Sequence, residues 1–126
     1  MATHFRVEVV TPERMVFTSD EATMVSVRSI AGKLAFMAGH IPYVGALTLA
    51  PVKITTAAGE SITIALHGGI AHFQSDGVLV ISSGVGELAS EIDVSRARKS
   101  LEANPDPTSL ENQRALLRLQ VAGEQV

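Results

Sequence analysis

Apolar and polar residues alternate through most of the chain with the period of a strand. Phe5, Val7 and Val9 are separated by Arg6, Glu8 and Val10, and Ile62, Ile64 and Leu66 by Ser61, Thr63 and Ala65. A period of two puts one set on a buried face and the other outside. The run GVLVISS (77–83) is apolar on both sides at its centre, as in a strand covered on both faces. Similar short runs recur, with turn chemistry between them at Thr11-Pro12, Ala31-Gly32, Ala58-Gly59, Gly68-Gly69 and Asp76-Gly77. About eight to ten short strands with no helix among them predict a β-sandwich or flattened barrel over residues 1–88.

The period changes near residue 89, just after Gly84-Val85-Gly86, which permits a bend. Ser90 followed by Asp93 reads as a capping box, and Val94, Ala97 and Leu101 then fall at helical spacing. Asn104-Pro105-Asp106-Pro107 must break that helix, because proline lacks the N–H and clashes with the preceding turn. Thr108 followed by Glu111 reads as a second capping box, with Leu110, Leu117 and Val121 as the apolar stripe of a second helix ended by Gly123. Each helix is expected to run about 14 residues, about 20 Å. The short break makes residues 89–126 an antiparallel two-helix hairpin, too short to be stable unless packed on something else.

Composition narrows the function classes. The chain has 126 residues, 46% hydrophobic, enough for one packed domain. The net charge of −3 comes without a basic patch, which argues against nucleic acid as a partner. No cysteine is present, so disulfides and thiolate metal sites are excluded. MATHFRVEVV lacks a signal-peptide pattern and no apolar run is long enough to cross a membrane, so a soluble cytosolic protein is expected.

Motifs for chemistry are sparse. Gly84-Val85-Gly86-Glu87-Leu88-Ala89 matches a dinucleotide-binding fingerprint, but the mechanism needs a parallel strand after the helix, and here a second helix follows. Gly32-Lys33 is no phosphate loop, since no glycine stands five residues earlier and Leu34 replaces the hydroxyl. His4, His40, His67 and His72 show no metal-ligand spacing, and no G-x-S-x-G elbow is present. Around the Gly39-His40 loop, Phe36, Met37, Ile41 and Val44 read either as core or as a partner-binding patch.

The charged hairpin is the remaining candidate. Folding the chain about residues 105–106 sets Asp93 near Arg118 and Arg96 near Arg114. Arg114 and Arg118, four apart, share a helix face. An Asp93–Arg118 bridge leaves Arg96 and Arg114 facing each other with like charge. A polyphosphate between them would relieve this, because arginine presents paired donors to phosphate. Solvated surface charges and an anion pocket both fit the spacing.

Several segments together carry a family resemblance. VEVVTPERMVF (7–17), MVSVRSIAGKLAFMAGHIPYVGAL (24–47), LHGGIAHFQSDGVLVIS (66–82) and EIDVSRA (91–97) resemble, in order and over essentially the whole chain, the epsilon subunit of the bacterial proton-translocating ATP synthase. The resemblance implies a ten-stranded β-sandwich followed by a two-helix hairpin. It implies a non-catalytic central-stalk subunit whose partners are the gamma subunit, the membrane rotor ring and, when the hairpin extends, the catalytic beta subunits. It places the protein peripherally on the cytoplasmic face of the bacterial plasma membrane.

The family's ATP-binding pattern falls on Glu87, Ile92, Asp93 and Arg96 of the first-helix region, with Arg114 and Arg118 from R-A-L-L-R-L (114–119). The resemblance assigns the arginines to phosphates and the acids to orienting the nucleoside or the arginines. ATP is thus the implied regulatory ligand, with magnesium left open. Three departures stand out. Ala103 falls about where ATP-binding members carry a further arginine, and Lys33-Leu34-Ala35-Phe36 replaces acid-Leu-Gly-Ile. The hairpin is also short and its second helix carries few basic residues. Lys33 and His40 are the expected rotor-ring or stalk contacts, with the charge at Lys33 reversed, and modest inhibition of ATP hydrolysis is expected.

Overall fold

The computed structural model describes residues 3–123. Strands β1 (Phe5–Val10), β2 (Met15–Ser29), β3 (Gly32–Met37), β4 (Tyr43–Thr56), β5 (Ser61–Phe73), β6 (Val78–Ser82) and β7 (Gly86–Leu88) precede a 3-10 turn (Ala89–Glu91) and helices α1 (Val94–Ala103) and α2 (Leu110–Val121). The sheet runs β1-β6-β5-β4-β2-β3, β7 pairs with β5, and β1 also pairs with β2. That last pairing closes the strands around a core of Val7, Val9, Val25, Phe36, Ile54, Ile64, Leu66, Phe73, Leu79 and Ile81. The alternation expected of β1 holds residue by residue, with Phe5, Val7 and Val9 buried.

The count of strands is seven among the described residues rather than ten, because β2, β4 and β5 are 15, 14 and 13 residues long and turn the corner between layers without ending. Register shifts in the pairing of β2 with β4 mark such corners, as β-bulges do. In β5 the corner is Gly68-Gly69. The sequence reads this pair as a turn between strands, whereas the chain continues through it: Ile64–Leu66 pair with β7 and Ile70–Phe73 with β6. Gly69 has φ +141°, and a Cβ there would stand 2.2 Å from the Ser82 carbonyl oxygen, so only glycine fits.

Both helix starts differ from the expected caps. Asp93 itself caps α1, its Oδ1 accepting from Arg96 N at 3.0 Å, and Ser109 caps α2, accepting from Asn112 N at 3.1 Å. Thr108 instead donates to Asp106 within the turn. The helices have 10 and 12 residues, shorter than expected, because the capping residues sit later than the pattern suggested. The hairpin turn is pinned by an unforeseen buried amide: Asn112 Nδ2 donates to the Asn104 carbonyl at 2.6 Å.

α2 is buried on two sides. Leu117 and Val121 cluster with Ala65, Leu49, Ala89 and Ile92 on the outer face of the sheet. Ala115 and Leu119, also buried, lie about 200° further round the helix, toward α1. The single stripe read from sequence therefore underestimated the buried surface, and Leu110, placed on that stripe, is 48% exposed.

Candidate functional site

Sandwich and hairpin meet at a charged cleft of about 330 Å³ lined by Glu87, Glu91, Asp93, Arg96, Ala97, Ser100 and Arg118. Each wall has a local cause. β7 pairs with the first half of β5 and so carries Glu87 alongside His67. The 3-10 turn brings Glu91 back, where its Oε1 accepts from Leu88 N at 3.2 Å. The Asp93 cap starts α1 so that Arg96, Ala97 and Ser100 form one side. α2, seated on Ala65, supplies Arg118 from the other.

Two ion pairs organise the cleft. Glu87 Oε1 accepts from Arg118 Nε at 2.7 Å and from His67 Nε2 at 2.9 Å. The His67 side chain is 0% exposed, while Glu87 and Arg118 are each 28% exposed. Burial, opposed by the hydrogen bond to Glu87 and reinforced by the positive charge of Arg118, pushes the His67 imidazole below its ordinary value. At the rim, Arg14 grips Glu91 with both terminal nitrogens, at 2.8 Å each. That grip, chiefly its hydrogen bonding, holds the Glu91 carboxyl below the usual carboxylate range.

The sequence-derived residues divide. Glu87, Asp93, Arg96 and Arg118 all line the cleft. Ile92 lies in the apolar cluster under the hairpin. Arg114 is not among the lining residues, and its Nε is buried without a hydrogen-bond partner among the described residues. The bridge drawn from hairpin geometry pairs Arg118 with Asp93; in the structure Asp93 is taken up in capping and Arg118 bonds to Glu87. Reading positions across the hairpin ignored β7, which brings Glu87 to Arg118. His67, Arg14, Glu91 and Ser100 were not foreseen, since no spacing rule links a histidine on β5 or an arginine in the first turn to a helix start.

What the arrangement can do follows from which donors remain. Arg118 uses Nε for Glu87, and its terminal nitrogens make no hydrogen bond among the described residues, while Arg96 is exposed and forms no ion pair among them. Two guanidinium groups on facing helices, over the small Ala97, can take an anion with several oxygens.

A second surface lies away from this cleft. Phe36 is core, but Met37, Ile41 and Val44 are 56%, 75% and 65% exposed, and Ile70, across from Ala46 on the next strand, is 52% exposed. The two readings of this stretch thus apply to different residues of it. His40 braces the loop: its ring lies 4.9 Å from Phe36 and 5.4 Å from Phe73, and Nδ1 donates to the Ile41 carbonyl at 2.6 Å. Lys33 is exposed on β3, directly across from Arg28.

The class that these features define is a β-sandwich subunit with a C-terminal helical hairpin docked on its sheet. Residues 4–86 match the family model of the ATP synthase delta/epsilon chain β-sandwich domain. The chain is 40% identical over 120 residues to the ATP synthase epsilon chain of Streptomyces griseus, covering 94% of this chain and 95% of that one. It is 40% identical over 96 residues to that of Brevibacillus brevis, covering 76% and 71% respectively. Among solved structures it resembles a chain of the Euglena gracilis mitochondrial ATP synthase OSCP/F1/c-ring assembly, with TM-score 0.72 at 19% identity over 96% of this chain and 78% of that one, a likeness of fold. The chain belongs to the ATP synthase delta/epsilon family, as an epsilon-type, non-catalytic subunit.

Proposed function

We propose that this chain is a central-stalk subunit that couples proton flow to rotation and tempers ATP hydrolysis through its hairpin, with ATP as the ligand of the charged cleft. The observation that carries the reading is the cleft itself, whose charged side chains come from the sandwich and from both helices at the one seam where the two parts would separate. A ligand bridging Arg96 and Arg118 binds only the docked state and so stabilises it by mass action. Glu87 and Asp93 order the arginines. Arg114, one turn before Arg118 on α2, joins through its terminal nitrogens when its side chain swings toward the cleft.

The stalk and rotor-ring contact falls on the exposed apolar residues Met37, Ile41, Val44 and Ile70, with His40 bracing their loop and Lys33 nearby on β3. Apolar patches of this kind mark protein contacts. No described helix is long and apolar enough to cross a membrane, so association with the cytoplasmic face of the membrane is through the gamma subunit and the rotor ring. The extended hairpin reaches the catalytic beta subunits.

Thermal unfolding of the chain with ATP, with and without magnesium, tests the cleft. ATP at millimolar concentration raises the melting temperature of the wild type and leaves that of Arg96→Ala unchanged. No shift in the wild type removes nucleotide from the reading. A second reading, in which Glu87 and Arg118 close the hairpin as a plain ion pair, is favoured by their direct contact at 2.7 Å. It is the outcome if ATP has no effect.

A further inference from the structure

Three groups at the seam have charge demands that cannot all be met when a proton is added. Glu87 has one oxygen, Oε1, shared by His67 Nε2 and Arg118 Nε. A carboxylate only accepts, so the neutral His67 carries its hydrogen on Nε2, and a second proton must go to Nδ1. Nδ1 is buried and has no hydrogen-bond partner among the described residues. The imidazolium N–H would therefore be enclosed without an acceptor, which is costly.

The surrounding charges reinforce this. From α2, Arg114 and Arg118 face His67, and both oppose its protonation. From β7, Glu87 favours it. From β4, the residue directly across is the uncharged Leu49. From the 3-10 turn, Glu91 is already neutralised by Arg14. Burial is the largest influence on His67, and it acts against the charged form.

Undocking removes the conditions that oppose the charge, the burial and the two arginines. His67 follows Ala65 on the face of β5 that α2 covers, so departure of α2 exposes the ring and takes both arginines away. Glu87, on the sandwich, stays behind and needs a cation in place of Arg118.

We propose that His67 is a proton-sensitive positioning residue: neutral, it holds Glu87 in place for Arg118 and keeps the hairpin docked, and protonated, it replaces Arg118 as the carboxylate's partner and releases α2. The proposal goes beyond nucleotide binding and rests on one part of the functional reading, that the hairpin can leave the sandwich. The sign follows from linkage. The docked state has the lowered affinity for the proton, so docking is at full strength above the ordinary imidazole range and weakens as pH falls through it. One proton changes the docking equilibrium by at most about tenfold per pH unit.

The chain has no cysteine, so a fluorophore pair can be attached at Gln113→Cys on α2 and Thr18→Cys on β2, both exposed positions. In the full chain, the docked fraction read by energy transfer falls between about pH 8 and about pH 5.5, the imidazole range. His67→Gln, which keeps an N–H donor but cannot titrate, abolishes that dependence. The ring resonances of His67 in the wild type shift over the same pH interval as the label distance, a readout that does not need the variant to fold. If the distance is unchanged at acid pH while Arg118→Ala opens the hairpin at neutral pH, the hairpin is mobile but His67 does not control it, and the proposal is overturned. If neither opens it, mobility fails and the proposal fails with it. A pH dependence retained in His67→Gln also overturns it.

Discussion

Glu87 on β7 and Arg118 on α2 meet at 2.7 Å across the seam between sandwich and hairpin, and this is the ion pair by which the second helix grips the sheet. Both side chains are 28% exposed, so the pair is neither a fully solvated bridge nor a dry one. Arg118→Ala should therefore weaken docking by about 1 kcal/mol, roughly fivefold in the opening equilibrium. Amide exchange of Leu117, Leu119 and Val121 should quicken by that factor, while the sandwich core keeps its protection.

The rim pair predicts a different signature. Arg14 reaches from the first turn to Glu91, bridging the sandwich to the linker that leads into α1. Glu91 has a carboxyl held below its ordinary value, so its contribution is present above the ordinary carboxylate range and lost as pH falls through the lowered value. Protease nicking of the 89–93 linker should rise below that range in the wild type. In Arg14→Ala it should already be raised at neutral pH. Because the pair is exposed, high salt should reduce the difference between the two proteins.

What could be read from the sequence, and what could not, follows from the range of each interaction. Periodicity sees neighbours along one element, so it gave the strands, the two helices and the burial of Val7, Val9, Ile64 and Leu66. It reads glycine pairs as turns because a turn is the commonest use of positive φ. Gly68-Gly69 serves instead as a corner inside β5, a distinction that depends on the carbonyl of Ser82 on β6. At the site, family resemblance pointed to Glu87, Asp93, Arg96 and Arg118, which the fold does gather. The partners chosen for them from hairpin geometry differed, since Glu87 reaches Arg118 only through the pairing of β7 with β5. His67 and Arg14 act across 20 and 77 residues of sequence, beyond any local pattern.

The corner glycine gives the largest expected effect on stability. A Cβ at Gly69 would overlap the Ser82 carbonyl oxygen at 2.2 Å, and its φ of +141° lies where side chains are strained. Backbone, not a flexible side chain, must move to relieve the overlap. Gly69→Ala should cost at least about 2 kcal/mol in global unfolding, read as a lower urea midpoint with the slope unchanged. Gly59→Ala, also at positive φ but with nothing within 4 Å of the added carbon, should cost less.

Sandwich and hairpin can be separated from each other by volume. Ala65 is 0% exposed, but its side chain points out of the sandwich core, against Leu117 and Val121 of α2. Its neighbours Ile64 and Leu66 point inward and fill that core. A larger residue at 65 therefore overpacks the seam without touching the interior of the sheet. Overpacking costs about 1–3 kcal/mol when the surroundings cannot move. Here they can, because α2 is held mainly by that small apolar cluster and by Arg118, and a hairpin of this length has little stability of its own. Ala65→Leu should release the strain by displacing α2 while the sandwich stays folded. Exchange protection should then be lost in α2 and retained at Val7, Val9 and Ile81, and the melting transition of the sandwich should shift little. Ile64→Ala, on the inward face of the same strand, should do the reverse: it leaves a cavity in the core and lowers global stability by about 2–5 kcal/mol. If Ala65→Leu instead unfolds both parts together, the seam and the core are one cooperative unit, and the hairpin is not an independently detachable element.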